Sequence, residues 1–177
     1  MKNLRNFMIL LVALAVSQSA LAWGNWGHHI SAYIAEQHLT PYAKGEVRRY
    51  LRHTLPFYAS WMDHWRAVPP FHPTNAWHGF SSIEGQVDWQ KGNGKAMGQV
   101  ADILKSMGEG KYRNLPDSIV RHNLLILVHA LPDMHCPVHI DFHISRPMQV
   151  IVEGKPIKVH KMWDGYVISS RHLGCSP

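Results

Sequence analysis

Thiols are scarce in this sequence. Its 177 residues include two cysteines, Cys136 and Cys175, and no Cys-x-x-Cys pair, which argues against a structural zinc site built from thiolates. Pairing of Cys136 with Cys175 stays open, since spacing alone cannot decide it. Charge is also thin. Charged residues make up 17%, and 18 Lys+Arg against 12 Asp+Glu give a formal net charge of +6. That balance admits a polyanionic partner such as nucleic acid without singling one out. Apolar–polar alternation is confined to one segment, "MQVIVEGKPIKVH", so an all-β architecture is excluded. Repeats, low-complexity tracts and linkers are missing, and residues 23–177 read as one domain large enough for a real core.

Long apolar runs are missing too, except at the start. "MKNLRNFMILLVALAVSQSALA" has a charged n-region (Lys2, Arg5), an apolar stretch from Phe7 to Val16 and the small-residue site Ala20-Leu21-Ala22. This pattern predicts a signal peptide over residues 1–22, cleaved after Ala22. The run is too short for a transmembrane helix, and no cysteine follows it to carry a lipid. The expected product is secreted or periplasmic, without a membrane anchor after cleavage. Loss of Lys2 and Arg5 takes the formal charge from +6 to +4.

What the chain has instead is histidine: fourteen of them, all beyond the leader. Most of the remaining sequence reads as helical. "HHISAYIAEQHL" carries Ile30, Tyr33 and Ile34 at helical spacing. Thr40 and Pro41 form a cap and first position for a helix through "PYAKGEVRRYLRHTL". A short helix around "YASWMDHWRAV" ends at Pro69-Pro70, and residues 71–94 read as a loop. "KAMGQVADILKSMGEG" is a helix closed by glycine, and "PDSIVRHNLLILVHAL" is a buried one. A hairpin falls near residues 148–159, and a last helix begins near His160. The expected fold class is all-α with one small β-hairpin.

The chemistry concentrates in "LVHALPDMHCPVHIDFH", residues 127–143. His129 and Asp133 stand four apart, so a helix stacks them on one face, about 6 Å apart along its axis. His160 and Asp164 repeat the spacing, and His139 follows Asp133 by six. Imidazole nitrogen and carboxylate oxygen together suit a borderline metal such as zinc, and open His/Asp sites are the catalytic kind. Cleavage after Ala22 would also expose the α-amine of Trp23, whose reference pKa of about 7.7–8.0 lets it bind a cation near neutral pH. On this ground alone the favoured reading is that Trp23 is merely the residue that follows the cleavage site.

The stretches "WGNWGHHISAYIAEQHLT", "ASWMDHWR", "WHGF", "HALPDMHCPVH" and "VHKMWD" occur in this order. Together they resemble the secreted three-zinc, single-strand-specific nucleases of the S-one/P-one type. The resemblance implies a mainly helical fold and three zinc ions. The Trp23 amine and carbonyl with His28 would hold one, bridged by Asp133 to a second held by Asp63, His78 and His129. His139, His160 and Asp164 would hold the third. Asp63 and Asp133 would be the catalytic carboxylates of a zinc-dependent endonuclease and 3′-nucleotidase, a hydrolase acting on ester bonds. It would cleave single-stranded DNA, RNA and 3′-nucleotides to 5′-phosphates through a zinc-bridging hydroxide. No protein partner is indicated.

The sequence departs from that family in three places. Gly79 and Ser81 stand where base-contacting residues are usual, with Phe80 shifted by one, so base preference is open. Pro132 should kink or end the helix just before Asp133. Family members also continue for further helices, so this chain is read as C-terminally truncated. Two rival functions follow: a phospholipase C-like zinc phosphodiesterase, disfavoured because its last pair is H-x3-E, and an inactive zinc-binding remnant. His29, His64, His135 and His143 are read as surface or supporting residues. Trp26, Trp61, Trp65, Trp77 and Trp163 are read as packing, with base stacking the alternative for one or two.

Overall fold

The structure, a computed structural model, describes residues 24–69, 71–79, 95–140 and 147–171. The predicted leader, Trp23, Phe80, Ser81, His143 and Cys175 lie outside the described residues. The chain is mainly helical, and among the described residues it has one two-stranded antiparallel sheet. Helix α1 spans Asn25–His38, α2 Pro41–Leu51, α3 Leu55–Tyr58 and α4 Trp61–Trp65. A 3-10 turn over His72–Trp77 precedes α5 (Lys95–Met107), and another over Gly108–Asn114 precedes α6 (Asp117–Met134). After a 3-10 turn at Pro137–His139 come β1 (Gln149–Val152) and β2 (Lys155–Lys158). The chain then enters α7 (Val159–Lys161), a π turn over Met162–Tyr166 and α8 (Val167–Arg171).

Helix α6 is the centre of the packing, in contact with α1 through α5. Its apolar body supplies Val120, Leu125, Ile126 and Ala130, all buried. Leu125 joins Ala32, Leu51, Leu55, Tyr58 and Ala59 in one cluster. Ile126 and Ala130 join Met62, Val100 and Ile103 in another. Full burial of a side chain such as Leu51 or Ile126 contributes about 1.5–3 kcal/mol each.

The expected start of α2 is observed: Thr40 Oγ1 accepts the Ala43 N–H at 3.2 Å, with Pro41 in the first turn. Its expected end is not. The helix stops at Leu51 because Arg52 turns left-handed (φ 69°) and returns its N–H to the Arg48 carbonyl. A separate turn, α3, then forms around Pro56, fastened to α2 by the Tyr58 hydroxyl donating to the Leu51 carbonyl at 2.6 Å. Helix α4 likewise ends at Trp65, short of the proline pair.

Helix α1 has the expected period, and its apolar triplet faces outward. Ile30, Tyr33 and Ile34 are exposed, while Gly27, His28, Ala32 and Glu36 are buried. The polar residues go inward because they have inward partners. Glu36 accepts the Leu55 N–H at 3.2 Å and faces Arg48 at 3.7 Å and Lys44 at 4.0 Å.

Pro132 does not end α6. Its missing N–H forfeits one helical bond, to the Val128 carbonyl, while the buried turn before it holds and the chain tightens past it: His135 N–H reaches the Pro132 carbonyl at 2.9 Å and Cys136 N–H the Asp133 carbonyl at 3.0 Å. Asp133 therefore stays one turn beyond His129 on the same face. The hairpin forms as expected, with Val150 opposite Ile157. Its two-residue turn uses positive φ at Glu153 and Gly154, the geometry that a tight hairpin demands. The last helix, expected to begin near His160, starts at Val159 and runs through the π turn into α8.

Candidate metal centre

Five elements converge on Asp133. From α6, the carboxylate lies 3.4 Å from His129 Nε2 on the preceding turn. From α1, His28 Nε2 approaches within 3.4 Å. His78, just after the 3-10 turn at His72–Trp77, stands at 3.3 Å, and His139 at 3.5 Å. Asp63, on α4, lies 3.7 Å from His78 and 3.9 Å from both His28 and His129. All six side chains are buried.

A second group adjoins the first through His139, whose other nitrogen lies 3.7 Å from Asp164. The π turn keeps His160 and Asp164 at i,i+4, with Nε2 2.7 Å from the carboxylate. The His139 and His160 rings stack at 5.0 Å. Asp164 is also fastened through its backbone, since its carbonyl accepts the Gly24 N–H. The approach requires glycine: a Cβ on residue 24 would sit 2.7 Å from that oxygen.

The spacings are informative. Charge-assisted N–H···O bonds run about 2.7–2.9 Å, and the contacts to Asp133, at 3.3–3.5 Å, are longer. Two donors each about 2.0–2.1 Å from one tetrahedral zinc would stand about 3.3–3.4 Å apart. Neither oxygen of Asp63 or Asp133 receives a well-formed hydrogen bond among the described residues, although all four atoms are buried. Buried carboxylates left this way are costly unless a cation meets them. His28, His129 and Asp133 form one set of metal-competent atoms, Asp63, His78 and His129 a second, and Cys136, His139 and Asp164 a third.

The surroundings orient the donors. His129 Nδ1 lies 2.8 Å from the Ala59 carbonyl. A carbonyl only accepts, so Nδ1 carries the hydrogen and Nε2 of the neutral ring presents its lone pair to the cluster. The His28 ring stacks on His129 at 3.8 Å. Arg66, one turn beyond Asp63, brings its guanidinium within 3.6 Å of that carboxylate.

The two central carboxylates differ in acidity. Burial raises Asp63, and the attraction of His129, His78 and Arg66 does not offset it. Burial acts on Asp133 as well, but His129, His139 and His78 outweigh it and hold its pKa well below the usual carboxylate range. His139 is disfavoured as a cation by burial, yet Asp133 and Asp164 on its two nitrogens raise its pKa to about 10. Burial lowers His78.

Of the predicted residues, His28, Asp63, His78, His129, Asp133, His139, His160 and Asp164 are thus brought together; Trp23 lies outside the described residues. His64 and His135 are exposed and bond locally, to the Ser60 carbonyl at 2.7 Å and the Leu131 carbonyl at 2.8 Å. Cys136 was not anticipated at the site. Its buried thiol sits 3.9 Å from Asp164, and burial pushes its pKa up to about 12. The signal was its position midway between Asp133 and His139. The roles of the Ala59 carbonyl and Gly24 left no such signal, being backbone contacts across the fold.

Comparison with known proteins gives two findings. A family model described as S1/P1 Nuclease matches residues 23–175. The chain is also 23% identical to Endonuclease 3 of Arabidopsis thaliana over 188 residues, an alignment covering 95% of this chain and 62% of that protein. The chain thus spans less than two thirds of the length of the curated relative it matches.

Proposed function

The chain belongs to the S1/P1 nuclease family, and on that footing we propose that it is a zinc-dependent phosphodiesterase acting on single-stranded DNA, RNA and 3′-nucleotides. The observation that carries this reading is Asp133, buried among four imidazoles at 3.3–3.5 Å. His28, with the amine and carbonyl of Trp23, would hold one zinc; Asp63, His78 and His129 a second, with Asp133 shared between the two. His139, His160 and Asp164 would hold the third. The reading includes cleavage after Ala22 and export.

Zinc bound at these positions supplies Lewis acidity, lowering the pKa of water to about 7 and drawing charge from phosphate oxygens. The protein's part is to hold the donors still. The Ala59 carbonyl fixes the His129 tautomer, and Asp133 stays ionised against burial. Arg66, half-buried beside Asp63, offers a positive group to an entering phosphate. In the overall reaction water oxygen joins phosphorus and the bond from phosphorus to O3′ breaks: a strand is left with a 3′-hydroxyl and a 5′-phosphate end, and a 3′-nucleotide gives a nucleoside and inorganic phosphate.

The test is metal content of the purified mature chain together with turnover of a 3′-nucleotide and of single-stranded DNA. Three zinc ions per molecule, with turnover lost on chelation, support the reading. No zinc after loading removes it. Turnover of phosphatidylcholine but not DNA would favour the phospholipase C-like alternative, and zinc without turnover an inactive remnant.

A further inference from the structure

Beyond the metal centre lies a cavity of about 430 Å³ where α1, α3, α4 and α6 meet. We propose that it is a second nucleotide-binding site, taking one base and its phosphate from a single strand that the metal centre cleaves. The proposal rests on the nuclease reading and adds a place to grip the substrate.

Four observations carry it. The volume falls in the range of small-molecule sites, about 300–1,000 Å³. The lining joins aromatic rings (Phe57, Trp61, Trp65) to nitrogen donors (His53, His64, Arg121) and includes no Asp or Glu. Phe57 is 64% and Trp65 44% exposed; large rings left open beside polar groups mark contact surfaces. The rings are also held in place: Phe71 packs edge-on against Trp61 at 5.2 Å and Trp65 at 5.8 Å, and His53 stacks on Phe57 at 4.4 Å.

Each part suits a nucleotide. A base is a flat π-face, and stacking on an aromatic platform accepts any base. Arg121 is steered by Tyr58, whose hydroxyl lies 3.4 Å from its Nη2, leaving a planar donor fork suited to phosphate. The cavity also shares a wall with the metal centre. Asp63 and Trp65 are two residues apart on α4, one buried at the cluster and the other lining the cavity. A strand gripped here is held beside the metal centre, which raises its local concentration there. A smaller cavity among the described residues, about 200 Å³ between Tyr42, Val47, Tyr50, Met107 and Leu124, carries the acidic Glu46 and no cationic side chain, and offers phosphate nothing.

The test uses the zinc-loaded protein and a fluorescein-labelled, phosphorothioate-linked oligothymidylate that resists cleavage. Trp65→Ala and Arg121→Gln should each weaken its binding about tenfold by anisotropy, in line with the loss of one stacked base, and leave turnover of a 3′-mononucleotide within twofold of wild type. Photocrosslinking of a 5-iodouracil version to the unmodified chain covers the case where a variant fails to fold, and should label Phe57, Trp61 or Trp65. Unchanged affinity in both folded variants, or labels only outside these rings, overturns the proposal. Oligothymidylate binding that depends on Trp65, with no turnover, would keep this site while removing the nuclease reading.

Discussion

The backbone N–H of Gly24 donates to the carbonyl of Asp164. This contact joins the first described residue to the last predicted ligand pair and closes the fold around the cluster. A side chain at 24 cannot fit, because its Cβ would come within 2.7 Å of that oxygen.

Gly24→Ala should therefore separate α1 from the π turn. Displacement of about 1 Å can reduce a rate 10²-fold, and we expect that order of loss in 3′-nucleotide turnover. Circular dichroism should remain that of a folded chain, since Gly24 lies outside the apolar clusters. Wild-type turnover in this variant would show that the contact is incidental.

Asp133→Asn keeps the shape of the side chain and removes the charge that four imidazoles face. Changing an outer partner of a metal ligand reduces affinity or activity 10- to 100-fold; a shared ligand should exceed that. Zinc titration of the purified variant, followed by mass spectrometry under native conditions, should show fewer bound ions than wild type.

Metal removal should lower stability as well as activity. A ligand at a hundred times its Kd stabilises the folded chain by about 2.7 kcal/mol. The thermal midpoint should fall on chelation and recover on adding zinc back, with calorimetry as the readout. An unchanged midpoint would indicate that zinc does not bind the native state.

Zinc uptake should expel protons. In the metal-free chain His139 titrates near 10 against an ordinary value of 6.5, so at neutral pH it holds a proton that a metal must displace. Titration calorimetry in buffers of different ionisation enthalpy should report this release. The same shift sets a sign for stability without metal. A raised histidine contributes fully below about pH 6.5 and loses that contribution as pH rises through about 10. Asp133, held low, contributes above its ordinary value and loses its share as pH falls.

Ile126→Ala should destabilise the chain by about 2–5 kcal/mol, since Ile126 is fully buried on the helix where the clusters meet. Denaturant titration would reveal it; a cost under about 1 kcal/mol would mean that the neighbours collapse into the gap.

The His129/Asp133 and His160/Asp164 pairs were legible because a four-residue spacing has one meaning on a helix, and the π turn left the second pair intact. Thr40 and the hairpin were legible because their geometry restricts the residues allowed. The inward face of α1 was not. Its apolar triplet, Ile30, Tyr33 and Ile34, points outward because His28 and Glu36 answer to partners that only the tertiary fold supplies. Pro132 misled for a related reason: its missing N–H and its ring act on the turn before it, and that turn is held in place by the tertiary burial of Ile126, His129 and Ala130. The aromatic cavity was invisible, being assembled from residues as far apart as His29 and Arg121.

Helix α6 gives His129 and Asp133 to the cluster and also bears the weight of α1 through α5. Scaffold and chemistry are therefore one object. Warming that loosens this mast blunts the blade in the same event, so heat inactivation should run in step with melting, leaving no window of an intact yet idle protein.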